Sequence, residues 1–210
     1  MWNKIIKTLT IAMFMTVYMT VNCFAGNVSK VPTHFLDATN IDDAYKNRLI
    51  DAVDYAVATY GMGVVTEYDV YATLRKESHY NHFGSDGCGT FWYDAESCNV
   101  IKGCSGERGA GQLMKMWGNN KPIQKMYKGW GIGLPELDLL NLEDNIIATV
   151  TVLVFGYKKR ANGDKAIMHT WYNTGQVYEH PNKYGRTVRH WAIEYTEEAH
   201  MVERPYYSKE

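Results

Sequence analysis

Proline is scarce in this chain, with five in 210 residues, and there is no internal repeat and no low-complexity linker. Those absences exclude a disordered or solenoid architecture, and a 46% hydrophobic composition is enough to bury a real core in one domain. An excess of either charge is also missing. The 22 basic and 23 acidic residues leave a formal charge of −1, so no basic footprint for nucleic acid exists. The one basic run, Lys158, Lys159 and Arg160, closes an amphipathic segment and reads as a complement to a helix C-terminus. Paired metal-ligand spacing of the C-x2-C kind does not occur, so no metal site is expected, and His79 and His82 read as surface or groove residues. Alternating strand patterns are lacking too, apart from a short stretch at Phe91, Trp92 and Tyr93 that suits a small hairpin.

One long uncharged apolar run is present, and it lies at the start. Lys4 and Lys7 precede "LTIAMFMTVYMTVNCFA", which ends on the small residue Ala25. This is the pattern of a secretory signal peptide over residues 1–25, the alternative being a retained membrane anchor. Removing it takes two lysines and no acid, leaving 20 basic against 23 acidic residues. Export places the protein in an oxidising compartment, periplasmic in a bacterium. The three later cysteines, Cys88, Cys98 and Cys104, then allow one disulfide in any of three pairings. Membrane association is expected only through an uncleaved signal segment.

The rest reads as helical. "NIDDAYKNRLIDAVDYAVATYGMG" begins with Asn40 and acids, carries an apolar stripe and stops at Gly61. "TEYDVYATLRKES" opens with Thr66 and Asp69 in a near match to a capping box. "NLEDNIIATVTVLVFGYKKR" has the acids first, the bases last and the densest apolar centre, which predicts a buried central helix. "KAIMHTWYNTG" and "YGRTVRHWAIEY" predict two more.

Counting along the second of these helices from Val70 by four and then three places Glu77 on its apolar face. A carboxyl held there loses solvation and keeps its proton nearer neutral pH, which is what a general acid needs. The bland reading is a glutamate that ends the helix and turns outward or pairs with a buried arginine.

Five pieces in order, "ESHYN", "GERGAGQLM", "EDNI", "WYNTG" and "YGRTV", resemble the lysozyme-like lytic transglycosylases of the soluble type. The resemblance spans Glu67 to Trp191. It implies a mainly α, lysozyme-like α+β fold with the cysteine-bearing loop beside a groove. Residues 26–65 would form an N-terminal helical segment, 66–191 the catalytic domain and 192–210 a tail. By the same resemblance Glu77 is the catalytic acid, and Ser78, Gln112, Tyr172 and Asn173 bind substrate. The substrate implied is the glycan strand of peptidoglycan, cleaved without a cofactor or metal.

This chain departs from the family pattern at Glu107, where the family has alanine, at Thr149, where it prefers glycine, and in the long insertion before Gln112. The alternatives are a hydrolytic muramidase, should Asp86, Asp94, Glu96 or Glu107 reach across the groove to activate water, and a non-catalytic peptidoglycan-binding component of an envelope-spanning machine. The short length resembles the small transglycosylases that serve secretion, conjugation or phage entry.

Overall fold

Each helix begins where a side chain can satisfy its orphan backbone donors. In the computed structural model, which describes residues 33–37, 39, 41–83 and 100–203, helix α1 (Asp43–Tyr60) is capped by Asp42, whose carboxylate accepts from the Ala44 and Tyr45 amides. Thr66 and Asp69 form the expected capping box of α2 (Glu67–Ser78). Asn120, Asn141 and Asp164 cap α3 (Lys121–Gly129), α4 (Leu142–Lys159) and α5 (Lys165–Thr174), each accepting one backbone N–H. Helix α6 (Lys183–Glu203) follows and runs on past Trp191.

The described residues are mainly helical and belong to one compact unit, Pro32–Glu210. Among them no helix is long and apolar enough to cross a membrane. The first 25 residues, the 91–93 stretch, Cys88, Cys98, Asp86, Asp94 and Glu96 lie outside the described residues.

Helix α4 is the centre, as its apolar density predicts: Leu142 and every residue from Asn145 to Gly156 are buried. Helices α1 and α5 pack against it, and α6 packs on both α5 and α2. Gly156 lets α4 and α5 approach, because a Cβ there would strike the Trp171 ring.

A buried charge cluster ties α2, α5 and α6 together. Asp69, fully buried, accepts from the Thr66 amide at 3.0 Å and the Thr66 hydroxyl at 2.9 Å, and it pairs with Lys165. Arg189 Nη1 and His169 Nε2 each lie 3.7 Å from its other oxygen. Burial alone would push the Asp69 carboxyl up, but the neighbouring His169 and Lys165 outweigh it and hold it well below the usual range. Burial pushes His169 down, and the Asp69 carboxylate beside it works against that shift. These three helices carry Glu77, Tyr172 and Tyr184, so the cluster sets the frame of the site.

His82 differs from its sequence-based expectation. It is fully buried, not a surface or groove residue. Its Nε2–H donates to the Leu140 carbonyl at 3.0 Å and its Nδ1 accepts from the Ala110 amide at 3.1 Å. Both bonds are made by the neutral ring, and burial pushes its pKa down to about 4. His79 is exposed, as expected.

The depressed value has a stability consequence. The unfolded chain takes up a proton near pH 6.5 and the folded one only near pH 4, so stability from this residue is full above pH 6.5 and is lost as pH falls toward 4. The loss amounts to about 3 kcal/mol at most. Urea unfolding at intervals across that window should give a stability slope for the wild type steeper than that of His82→Gln by about 1.4 kcal/mol per pH unit. Equal slopes would mean that the buried ring is protonated.

Candidate functional site

The site begins at the C-terminal end of α2. Two consecutive residues that are not glycine take the left-handed conformation there, His79 at φ 53° and Tyr80 at φ 69°. Such a turn costs energy and persists only when its surroundings hold it. They do so here: the Tyr45 hydroxyl donates to the Tyr80 carbonyl at 2.7 Å, and the buried Tyr80 hydroxyl meets that of Tyr195, also at 2.7 Å. The helix therefore stops abruptly just after Glu77.

Glu77 is half-buried. The Tyr184 hydroxyl, from the first turn of α6, donates to its Oε1. Burial raises the Glu77 pKa above the ordinary glutamate value, the Tyr184 hydrogen bond works against the rise, and the charge of Glu107 adds to it. Its place in the last turn of a helix, at the negative end of the dipole, also disfavours the charged form. The Tyr184 phenol is half-buried, and its pKa is pushed well above the ordinary value, by burial first and the Glu77 charge second. It stays a donor.

The segment from Gly103 to Gln112 forms the opposite wall through short backbone pairings, Lys102 with Arg108 and Arg108 with Leu113. Gly109, at φ 67°, and Gln112, at φ 45°, make a tight turn closed by the Gln112 amide donating to the Gly109 carbonyl at 3.0 Å. The Gln112 side chain donates to the same carbonyl at 2.8 Å.

Asn145, from the first turns of α4, anchors this turn. Its Oδ1 accepts from the Gly111 amide at 2.9 Å, and its Nδ2 donates to the Arg108 and Leu139 carbonyls at 2.9 and 3.1 Å. The Tyr172 hydroxyl donates to the Gly111 carbonyl at 2.6 Å. A Cβ on Gly111 would collide with Thr149 Oγ1 and crowd the Tyr172 hydroxyl. Threonine at 149 therefore fills the space beside Gly111, and only glycine fits at 111.

These elements enclose a cavity of about 440 Å³ lined by Glu77, Glu107, Gln112, Trp117, Tyr172 and Asn173, among others. Of the five residues expected from sequence, Glu77, Gln112, Tyr172 and Asn173 come together here. Ser78 does not line the cavity. It is buried, and its hydroxyl donates to the Leu74 carbonyl at 3.2 Å. Cys104, a free and exposed thiol, lies along the same cavity.

Three contributors were not singled out as site residues from sequence. Tyr184 stood in the motif "YGRTV" but carried no role of its own. Trp117 supplies an aromatic wall, braced edge-on against Trp171 at 5.6 Å. Glu107, one of the four candidate loop acids and the one that lies within the described residues, lines the cavity beside Gly103, where a Cβ would strike both the Glu107 and the Gln112 side chains. Among the described residues no group of acids, histidines and cysteines is arranged to hold a metal ion.

No protein-family model matches this chain, and no curated protein matches it. Among solved structures, an inactive mutant of the lytic transglycosylase Slt from Pseudomonas aeruginosa is similar over 75% of this chain, at 16% identity and a TM-score of 0.44. The chain spans 24% of the length of that protein.

Proposed function

We propose that this protein is an exported peptidoglycan lytic transglycosylase whose single acid, Glu77, serves both halves of the reaction. The observation that carries the reading is a half-buried glutamic acid on the wall of a sugar-sized cavity with one oxygen held by the Tyr184 hydroxyl, an environment whose burial raises its pKa. With Tyr184 donating to Oε1, Oε2 is the oxygen left to carry the proton.

Protonation of the glycosidic oxygen between N-acetylmuramic acid and N-acetylglucosamine breaks the bond to C1 and leaves Glu77 as a carboxylate. That carboxylate takes the proton of the C6 hydroxyl as O6 bonds to C1, giving a 1,6-anhydro ring without consuming water. The enzyme ends protonated, ready for the next cycle. The Tyr184 hydrogen bond stabilises the carboxylate in the middle of the cycle, and Trp117 offers the apolar face of an aromatic ring to a pyranose. Gln112 and Asn173 supply amide groups for its acetamido and hydroxyl substituents.

One observation favours a second reading. Glu107 lines the same cavity, its Oε2 accepting from the Ser105 amide at 2.9 Å. A second carboxylate across the bond is what a hydrolase uses to activate water.

The pH dependence of muropeptide release from purified sacculi tests the transglycosylase proposal. Activity needs protonated Glu77, so it falls as pH rises through the folded-state pKa, and the midpoint of that alkaline limb lies above the ordinary glutamate value. Glu107→Gln removes a negative neighbour, so it should move the limb to lower pH while keeping activity. Loss of activity in Glu107→Gln would support the hydrolase. No release by the folded wild type at any pH would leave a binding protein.

A further inference from the structure

A second cavity, of about 500 Å³, lies on the other side of the wall that carries Gln112. Consecutive residues of that wall face opposite ways: Glu107 lines the catalytic cavity and Arg108 the second, Met114 the first and Lys115 the second. The wall is one backbone thick at these points. Three acids, Glu136, Asp138 and Asp144, line the second cavity together with Arg108 and Lys115.

The charges in this cavity do not cancel one another. Neither Arg108 nor Lys115 pairs with a carboxylate among the described residues. Each acid uses one oxygen locally: Glu136 Oε1 accepts from Asn119, Asp138 Oδ1 from the Leu140 amide at 3.0 Å, and Asp144 Oδ2 from the Asp138 amide at 2.9 Å. Their other oxygens carry no hydrogen bond to a described residue. A half-buried guanidinium is poorly served by water alone, and its planar fork suits a carboxylate.

We propose that this second cavity binds the peptide stem of peptidoglycan, a ligand with free carboxylates and an ammonium group. Arg108 and Lys115 take the carboxylates, and Asp138 and Glu136 take the ammonium. This rests on the reading of the first cavity as a glycan site. A stem of three or four residues attached to a muramic acid there reaches about 10–14 Å when extended, enough to cross a wall one chain thick. Plain carbohydrate has no group that answers such a set of charges, whereas a zwitterionic peptide answers both signs.

Two readouts separate this proposal from the one it rests on. The free tripeptide L-alanyl-γ-D-glutamyl-meso-diaminopimelate, titrated into the full-length protein, should shift backbone amide resonances at 108, 115 and 138 saturably. Arg108→Gln should weaken that binding about tenfold, as expected for loss of a charge-assisted bidentate contact. Lys115→Gln, at an exposed position where folding is not at stake, should weaken it more mildly, and N-acetylation of the peptide's free ammonium groups should also weaken it.

The second readout is kcat/KM on peptide-bearing glycan strands against strands stripped of peptide by an amidase. The wild type should prefer the former by about tenfold, and Arg108→Gln should bring the ratio close to one. Tripeptide binding at 108 and 115 without any cleavage of strands would support the second site and overturn the catalytic proposal. Cleavage with equal efficiency on both strands, together with shifts confined to the neighbourhood of Glu77 or absent, would overturn the second site and leave the catalytic proposal standing.

Discussion

Glu77→Gln should lower the rate of muropeptide release by about a thousandfold, within the range that a positioned general acid contributes, and leave the fold intact. The amide oxygen still accepts from Tyr184. The substitution also removes a carboxyl whose charged form is disfavoured by burial and by its place at a helix C-terminus. The melting temperature should therefore equal or exceed that of the wild type, a sign of function held at the expense of stability. A variant that is inactive and also much less stable would point to a structural role for Glu77, and a variant that keeps its activity would remove Glu77 from the chemistry.

The largest stability effect is expected at Asn145. Its side chain makes three hydrogen bonds, two of them fully buried, that connect the central helix to the Gln112 turn and to the Leu139 loop. Asn145→Leu keeps the volume and leaves the Gly111 amide and the Leu139 carbonyl without partners, while the Arg108 carbonyl keeps only its bond from the Leu113 amide. Each unsatisfied buried group costs about 1–3 kcal/mol. A net loss of about 3 kcal/mol is expected, or a fall in Tm of about 6–12 °C. Activity below the melting temperature should drop by more than about tenfold, because the turn that presents Gln112 is no longer pinned. Asn145→Asp keeps the acceptor for Gly111 but sets a negative charge against two carbonyls, so it should be no better. A melting temperature unchanged in both variants would show that the turn is held by other contacts.

Much of the helical frame could be read from residue order, because caps and apolar periods are local signals. The acids at 143 and 144, the bases at 158 and 159 and the dense centre between them identify α4 without help from distant residues. The placing of Glu77 toward the interior came from the same periodicity. What resisted reading was made by long-range contact. His82 has no periodic partner, and the groups that bury it, Ala110 and Leu140, lie 28 and 58 residues further on. Helix α3 has only Ile123, Met126 and Tyr127 to bury and a proline in its first turn, so its pattern is too short to stand out. Helix α1 begins at Asp43, later than the segment that opens with Asn40, because the Asp42 carboxylate accepts from the first free amides, those of Ala44 and Tyr45. Glu107 and Thr149 stood out as departures from the resembled family. Their consequences, a second carboxylate in the cavity and a hydroxyl packed against Gly111, depend on neighbours that only the fold supplies.

The most direct test of one acid serving both steps is digestion of purified sacculi in water enriched in oxygen-18, followed by mass spectrometry of the released muropeptides. An intramolecular closure predicts products that end in 1,6-anhydromuramic acid and carry no label, all absent with Glu77→Gln. Reducing-end products heavier by one labelled water would contradict the account and make Glu107 the residue to test next as a base.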